Sequence, residues 1–119
     1  MVSHTENIKE RCSDLAASVI AATQEAAPSA ANYVMSKQAV RAASTTGVNC
    51  LSAETASNSQ EFTGCMDLVF SNLRELLYWI NLMKQTRVIS GEVADVLQEE
   101  TEEIQDEIAP LVFSSASSG

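Results

Sequence analysis

Apolar side chains recur every third or fourth residue along most of the chain, and most regularly between Ser59 and Arg87. There Phe62, Met66, Val69, Leu73, Leu76, Ile80 and Met83 form a sustained seven-residue repeat. That spacing fits one face of a helix and not the alternation of a strand. Phe70, Leu77, Trp79 and Leu82 fall off the stripe, so this helix is apolar on more than one side. Such a helix belongs at the centre of a bundle, or at a bundle face that meets another subunit.

Three further helices follow from the same pattern. Ser3 and Glu6 have capping-box spacing, and Ile8, Cys12, Leu15, Val19, Ala22 and Ala26 give the first helix its apolar face. Pro28 ends that helix and Ser29 caps the next, because proline pushes the preceding residue out of helical geometry. The second helix is predicted from about Ala30 to Ala56. It is rich in small residues between Ala39 and Ala53, with a kink or loosened turn expected at Thr45-Thr46-Gly47. Asn58 and Glu61 open the third helix, which should stop near Val88. Ser90 caps a fourth, from Gly91 to about Phe113, expected to bury Val93, Leu97, Thr101, Ile104, Ile108 and Leu111. Pro110 should bend or fray its last turn. The connections are only a few residues long, which makes sequential helices antiparallel neighbours. The prediction is all-α: an up-down-up-down four-helix bundle forming a single domain over 1–113, with a flexible Ser-rich tail at 114–119.

Composition adds little chemistry and removes much. The chain of 119 residues has room for one core. The N-terminus lacks a signal-peptide pattern, and no segment approaches the roughly 20 continuous apolar residues of a membrane span. Cys12, Cys50 and Cys65 read as small core residues of a protein in a reducing cytoplasm. The net charge of −9 is concentrated in one place. Glu92, Asp95, Glu99, Glu100, Glu102, Glu103, Asp106 and Glu107 carry it with no base among them, whereas the residues before them nearly balance. Without a basic patch to neutralise phosphates, direct nucleic-acid binding is disfavoured.

Catalytic and metal signatures are equally sparse. The single histidine, His4, is placed ahead of the first helix, so no serine or cysteine has an activating base and no Glu-x-x-His pair faces a core. Phosphate-binding glycine loops and zinc-spaced cysteines are absent. The expectation is a protein that is not an enzyme and uses no cofactor or metal.

Three constellations remain. Pairing helices 2 and 3 about a turn at 57–58 sets Arg41 opposite Arg74 and Glu75, Thr45 near Phe70 and Asn49 near Met66. Arg41 and Glu75, with Asn49 beside them, are the candidate buried polar pair, since a half-buried arginine requires a carboxylate. Phe70, Leu77, Tyr78 and Trp79 are the candidate subunit interface. Glu92, Asp95, Glu99, Glu102 and Asp106 line one side of helix 4, either as a solvated face or as a docking surface for a basic protein. Pairing helices 3 and 4 in the same way brings Lys84 near Asp95, Arg87 near Glu92 and Arg74 near Glu103.

Ser36, Lys37, Gln38 and Arg41, then Thr45, Gly47 and Asn49, then Arg74, Glu75, Tyr78, Trp79, Ile80, Lys84, Thr86, Ile89 and Ser90 carry a further pattern. In it the chain resembles the four-helix-bundle proteins of the 23S rRNA intervening-sequence type. The resemblance implies a left-handed antiparallel bundle that assembles as a homopentamer in the bacterial cytoplasm, with no assigned biochemical role. It departs at Asn49-Cys50-Leu51-Ser52, where the family has a glutamate after the asparagine, so a charged site built on that glutamate is missing. A related branch, the basic accessory proteins of diversity-generating retroelements, assists a reverse transcriptase, and the acidic charge here opposes carrying that role over. The expectation is a self-assembling helical scaffold or adaptor. Its rivals are a nucleic-acid-associated accessory factor, acting with ribosomal RNA or a reverse transcriptase, and an acidic-helix module that recruits a basic protein.

Overall fold

In a computed structural model the chain is all helix among the described residues, 4–117, with side chains described for 7–113. The four helices are α1 (His4–Gln24), α2 (Ala30–Glu54), α3 (Ser59–Gln85) and α4 (Gly91–Ser117). They form a bundle of 46 × 25 × 25 Å. Each helix packs against two others, α1 and α3 on α2, and α1 and α3 on α4, and the diagonal pairs do not meet. The α1–α4 seam is the loosest of the four. No helix among the described residues is long and apolar enough to cross a membrane.

Local chemistry explains the boundaries. Ser29 is extended and accepts a hydrogen bond from the Asn32 amide at 3.0 Å, satisfying one of the orphan donors at the start of α2. Asn58 does the same for α3 from Glu61 N at 2.9 Å, while the Glu61 carboxylate reaches back to Ser57 N at 2.7 Å. Ser90 Oγ accepts from Val93 N at 3.2 Å. The proposed Ser3 cap lies outside the described residues, and His4 is the first residue of α1 rather than ahead of it.

α3 ends at Gln85, three residues short of Val88, and the hydrogen bonds show why. Val88 N donates to Met83 O at 2.9 Å and Arg87 N to Lys84 O at 3.2 Å. Those two bonds make a Schellman closure, which demands a left-handed residue at Arg87 (φ 61°). Val88 and Met83 are both buried, adding the apolar contact that accompanies this motif. Arginine takes that conformation at a steric cost that glycine avoids.

The predicted α3 stripe is the core. Met66, Val69, Leu73, Leu76, Ile80 and Met83 are fully buried, and Phe62 is partly so. Ile8, Cys12, Leu15 and Val19 of α1 meet the core, as do Ala39, Ala42, Ala43, Cys50 and Ala53 of α2. No break occurs at Thr45-Thr46-Gly47, and α2 runs through. The Thr45 and Thr46 hydroxyls fold back onto Arg41 O (2.7 Å) and Ala43 O (2.6 Å), so neither competes with the helix.

α4 differs from its expectation in rotation. Its buried line is Ala94, Leu97, Thr101, Ile104, Ile108 and Val112. Val93 is 40% exposed and Leu111 only partly buried, so the stripe is shifted by one residue at both ends. Leu97, Thr101, Ile104 and Ile108 are as expected, so the helix is turned by less than one residue (about 100°), and the small Ala94 in place of Val93 lets α4 approach its neighbours. Thr101 is satisfied by Leu97 O at 2.6 Å. The backbone passes through Pro110 and stays helical to Ser117, four residues into the stretch expected to be a flexible tail.

Two stability measurements follow. Leu73→Ala should lower unfolding free energy by about 2–5 kcal/mol, whereas Val96→Ala, at a site 63% exposed, should stay within about 0.5 kcal/mol. A Val96→Ala loss of about 2 kcal/mol or more in urea denaturation would mean that Val96 is buried after all. Arg87→Gly should raise stability by up to about 1 kcal/mol, and a loss would refute the left-handed geometry at that residue.

Candidate functional site

The polar residues singled out on α2 and α3 do meet, but at the surface. Arg41 Nη2 and Glu75 Oε2 form an ion pair across the α2–α3 seam, with side chains 50% and 38% exposed. Arg41 Nε also donates to Gln38 Oε1 at 3.0 Å, and Trp79 Nε1 donates to Glu75 Oε2 at 3.0 Å. The pair is therefore half-exposed and not buried, because the small core-facing residues of α2 leave Arg41 on the outer edge of the helix. Asn49 does not join it. It sits eight positions further along α2, about 12 Å away at the helical rise.

The aromatic residues divide. Phe70 is partly buried and packs edge-on against Phe113 of α4, with ring centroids 5.3 Å apart. Trp79 is partly buried against the core, and its indole is held by Glu75. Leu77 is also partly buried. Tyr78 alone of the four is exposed, at 59%, and touches Trp79 edge-on at 5.0 Å. Its exposed apolar company includes Leu68 on α3 and Val34, Val48 and Leu51 on α2, none of which stood out in the sequence. Their signal was present: 34, 41, 48 on α2 and 68, 75 on α3 are spaced by seven, which puts each set on one line of its helix.

On α4, Glu92, Asp95, Glu99, Glu102 and Asp106 are all exposed. Lys84 Nζ pairs with Asp95 at 2.7 Å as the register predicts. Glu103 turns the other way. It meets Arg11 of α1 at 3.3 Å, where Glu107 also binds that guanidinium at 2.6 Å, so the expected pairing with Arg74 is replaced. Arg87 is committed to the left-handed turn and forms no ion pair with Glu92.

The cysteines form a core contact that the sequence left unconnected. Cys12 and Cys50 are buried with their sulfurs 4.0 Å apart, and Cys65 is partly buried; all three are free. The contact sets the two thiols apart: the hydrogen bond to Cys12, with burial, pushes the Cys50 thiol far up, and the same bond lowers the Cys12 thiol. Among the described residues, no three His, Cys, Asp or Glu side chains gather where they could share a metal ion.

Comparison with known proteins gives two findings. Residues 5–109 match the family model described as 23S rRNA-intervening sequence protein. Among solved structures, the chain is similar to a crystal structure of a protein of unknown function from the S23 ribosomal protein family of Bacteroides thetaiotaomicron. The two are 21% identical, with a TM-score of 0.83 over 92% of this chain and 97% of that one. At that identity the likeness concerns the fold. No curated protein matches the chain.

The half-exposure of the Arg41–Glu75 pair generates a test. In the isolated chain, Arg41→Met should cost no more than about 1 kcal/mol, the worth of a solvated ion pair. A loss of about 3 kcal/mol or more would mean that the pair is desolvated by something the chain itself does not supply.

Proposed function

The chain belongs to the 23S rRNA-intervening sequence protein family, and we propose that it is a non-enzymatic, self-assembling scaffold or adaptor of the cytoplasm. The single observation that carries this reading is the outer α2–α3 face. Val34 and Val48 flank Arg41 on its line of α2, Leu68 precedes Glu75 on its line of α3, and Tyr78 stands one turn beyond, each more than half exposed. Apolar side chains around a fixed ion pair are the composition of an interface core, where aromatics and arginine are enriched.

Charge supports the same face. α2 and α3 together carry Lys37, Arg41, Arg74 and Lys84 against Glu54, Glu61, Asp67 and Glu75, a balance that lets copies approach. α4 is acidic throughout and repels its own copies, so it belongs on the outside of the assembly. Trp79 then acts from beneath, bracing the face through Glu75, while Tyr78 makes the contact and Phe70 is turned onto Phe113 of α4.

In this reading the helices alternate in direction and the bundle is left-handed. The short connections support the alternation, as does the Arg41–Glu75 pair, which lies at comparable distances from the turn along both helices. The assembly is a pentamer, as the family resemblance implies, and its acidic exterior keeps nucleic acid away from direct contact.

Light scattering on the purified chain should give five times the 12.8 kDa protomer mass. The double substitution Val48→Glu with Leu68→Glu should lower the mass to the protomer without loss of helix. A wild-type protein that stays monomeric at high concentration, or a double variant that stays assembled, would remove the reading.

A further inference from the structure

On the opposite side of the bundle from the α2–α3 face, the loose α1–α4 seam opens into a groove of about 570 Å³. Ala21 and Ala22 of α1 and Val93, Val96 and Leu97 of α4 form its floor, and Glu25 and Glu92 its rim. It exists because α4 is rotated as described: Ala94 turns inward, and Val93 and Val96 are left 40% and 63% exposed beside two alanines too short to cover them. The seam continues past Val96 into a second depression walled by Glu99, Glu100 and Glu103 and by Arg11, which is held by Glu103 and Glu107.

We propose that this groove docks a basic amphipathic helix of a partner protein. The floor is apolar and linear. The apolar part runs from Val93 to Leu97 and the acidic rim from Glu92 to Glu103, about 16 Å in all, three turns of a guest helix whose i and i+3 side chains would seat on Val93 and Val96. The rim selects the charge. α4 has no base, and the two bases of α1 are already engaged, Lys9 by Glu54 and Arg11 by Glu103 and Glu107. Lysines or arginines flanking the apolar ridge of the guest meet Glu25 and Glu92 at one end and Glu99 and Glu100 at the other. A second copy of this chain does not fit, because its own α4 would set acid against acid. Phosphate-bearing partners meet the same repulsion. The groove is independent of the self-assembly face and stands whether or not the chain is a pentamer.

The test uses the full chain and a synthetic leucine–lysine peptide of about 18 residues, roughly 27 Å as a helix, with leucines on one face. Binding is followed by fluorescence anisotropy at about 0.15 M salt, where surface attraction is screened beyond about 8 Å. The wild-type chain should bind it, and a peptide of the same composition in scrambled order should bind at least about tenfold more weakly, since it cannot form the apolar ridge. The decisive variant is Val93→Asp with Val96→Asp, which adds two negative charges while spoiling the floor. It should weaken binding at least about tenfold, with helix content and assembly mass unchanged. Glu25→Gln with Glu92→Gln should weaken binding and flatten its salt dependence. Equal or tighter binding to the Asp variant, or to the scrambled peptide, would show attraction by charge alone and overturn the proposal. So would the absence of binding to the wild type. A changed assembly mass in the Asp variant would assign the groove to a contact between copies, and would overturn it too.

Discussion

Six side chains of α3, from Met66 to Met83, are shut away from water along a single line, and the positions of the other helices follow from covering them. α2 does so with alanines and small polar residues, so its backbone comes close and the seam is narrow. α1 contributes Ile8, Cys12, Leu15 and Val19, and α4 contributes Ile104 and Ile108. Each of these buries one stripe and leaves the rest of its helix to solvent, which is how a short all-helical chain reaches a packed core without aromatic bulk.

That arrangement divides the surface into two kinds. Small core-facing residues on α2 leave its outer line, through Val34, Arg41 and Val48, standing clear of the seam. On α3 the matching outer line runs through Leu68, Glu75 and Tyr78. The face is apolar, electrically balanced and braced from below by Trp79. Across the bundle, α1 and α4 meet loosely, the acids crowd, and the valines of α4 stand over alanines. The two faces differ in charge: one is balanced and the other strongly acidic.

The titratable groups follow the same physics. The hydrogen bond between the two buried thiols raises Cys50 and lowers Cys12, and the carboxylates of α4 are spread along a straight helix face. Among the described residues, no three carboxylates or thiols come together where they could share a metal ion.

The local pattern alone determined the number of helices, the α3 stripe, the caps at Ser29, Asn58 and Ser90, and the pairings of Arg41 with Glu75 and Lys84 with Asp95. It could do so because helical period, capping chemistry and turn length act over a few residues. Membership of the family was legible in Ser36 to Ser90 for the same reason: spacing is a local property. What lay beyond it was rotation. The repeat defines a stripe only to within about one residue, or 100°. Whether Val93 or Ala94 faced inward depended on how closely α1 and α3 could approach α4. The same ambiguity hid the exposure of Arg41, the lean of Phe70 onto Phe113, and the turn of Glu103 towards Arg11. It also hid the left-handed Arg87, a position where glycine would have announced itself. The meeting of Cys12 with Cys50 needed two helices to be aligned in three dimensions. Lateral neighbours, not the chain's own periodicity, chose each of these, so only the packed tertiary structure revealed which surfaces were left to bind anything else.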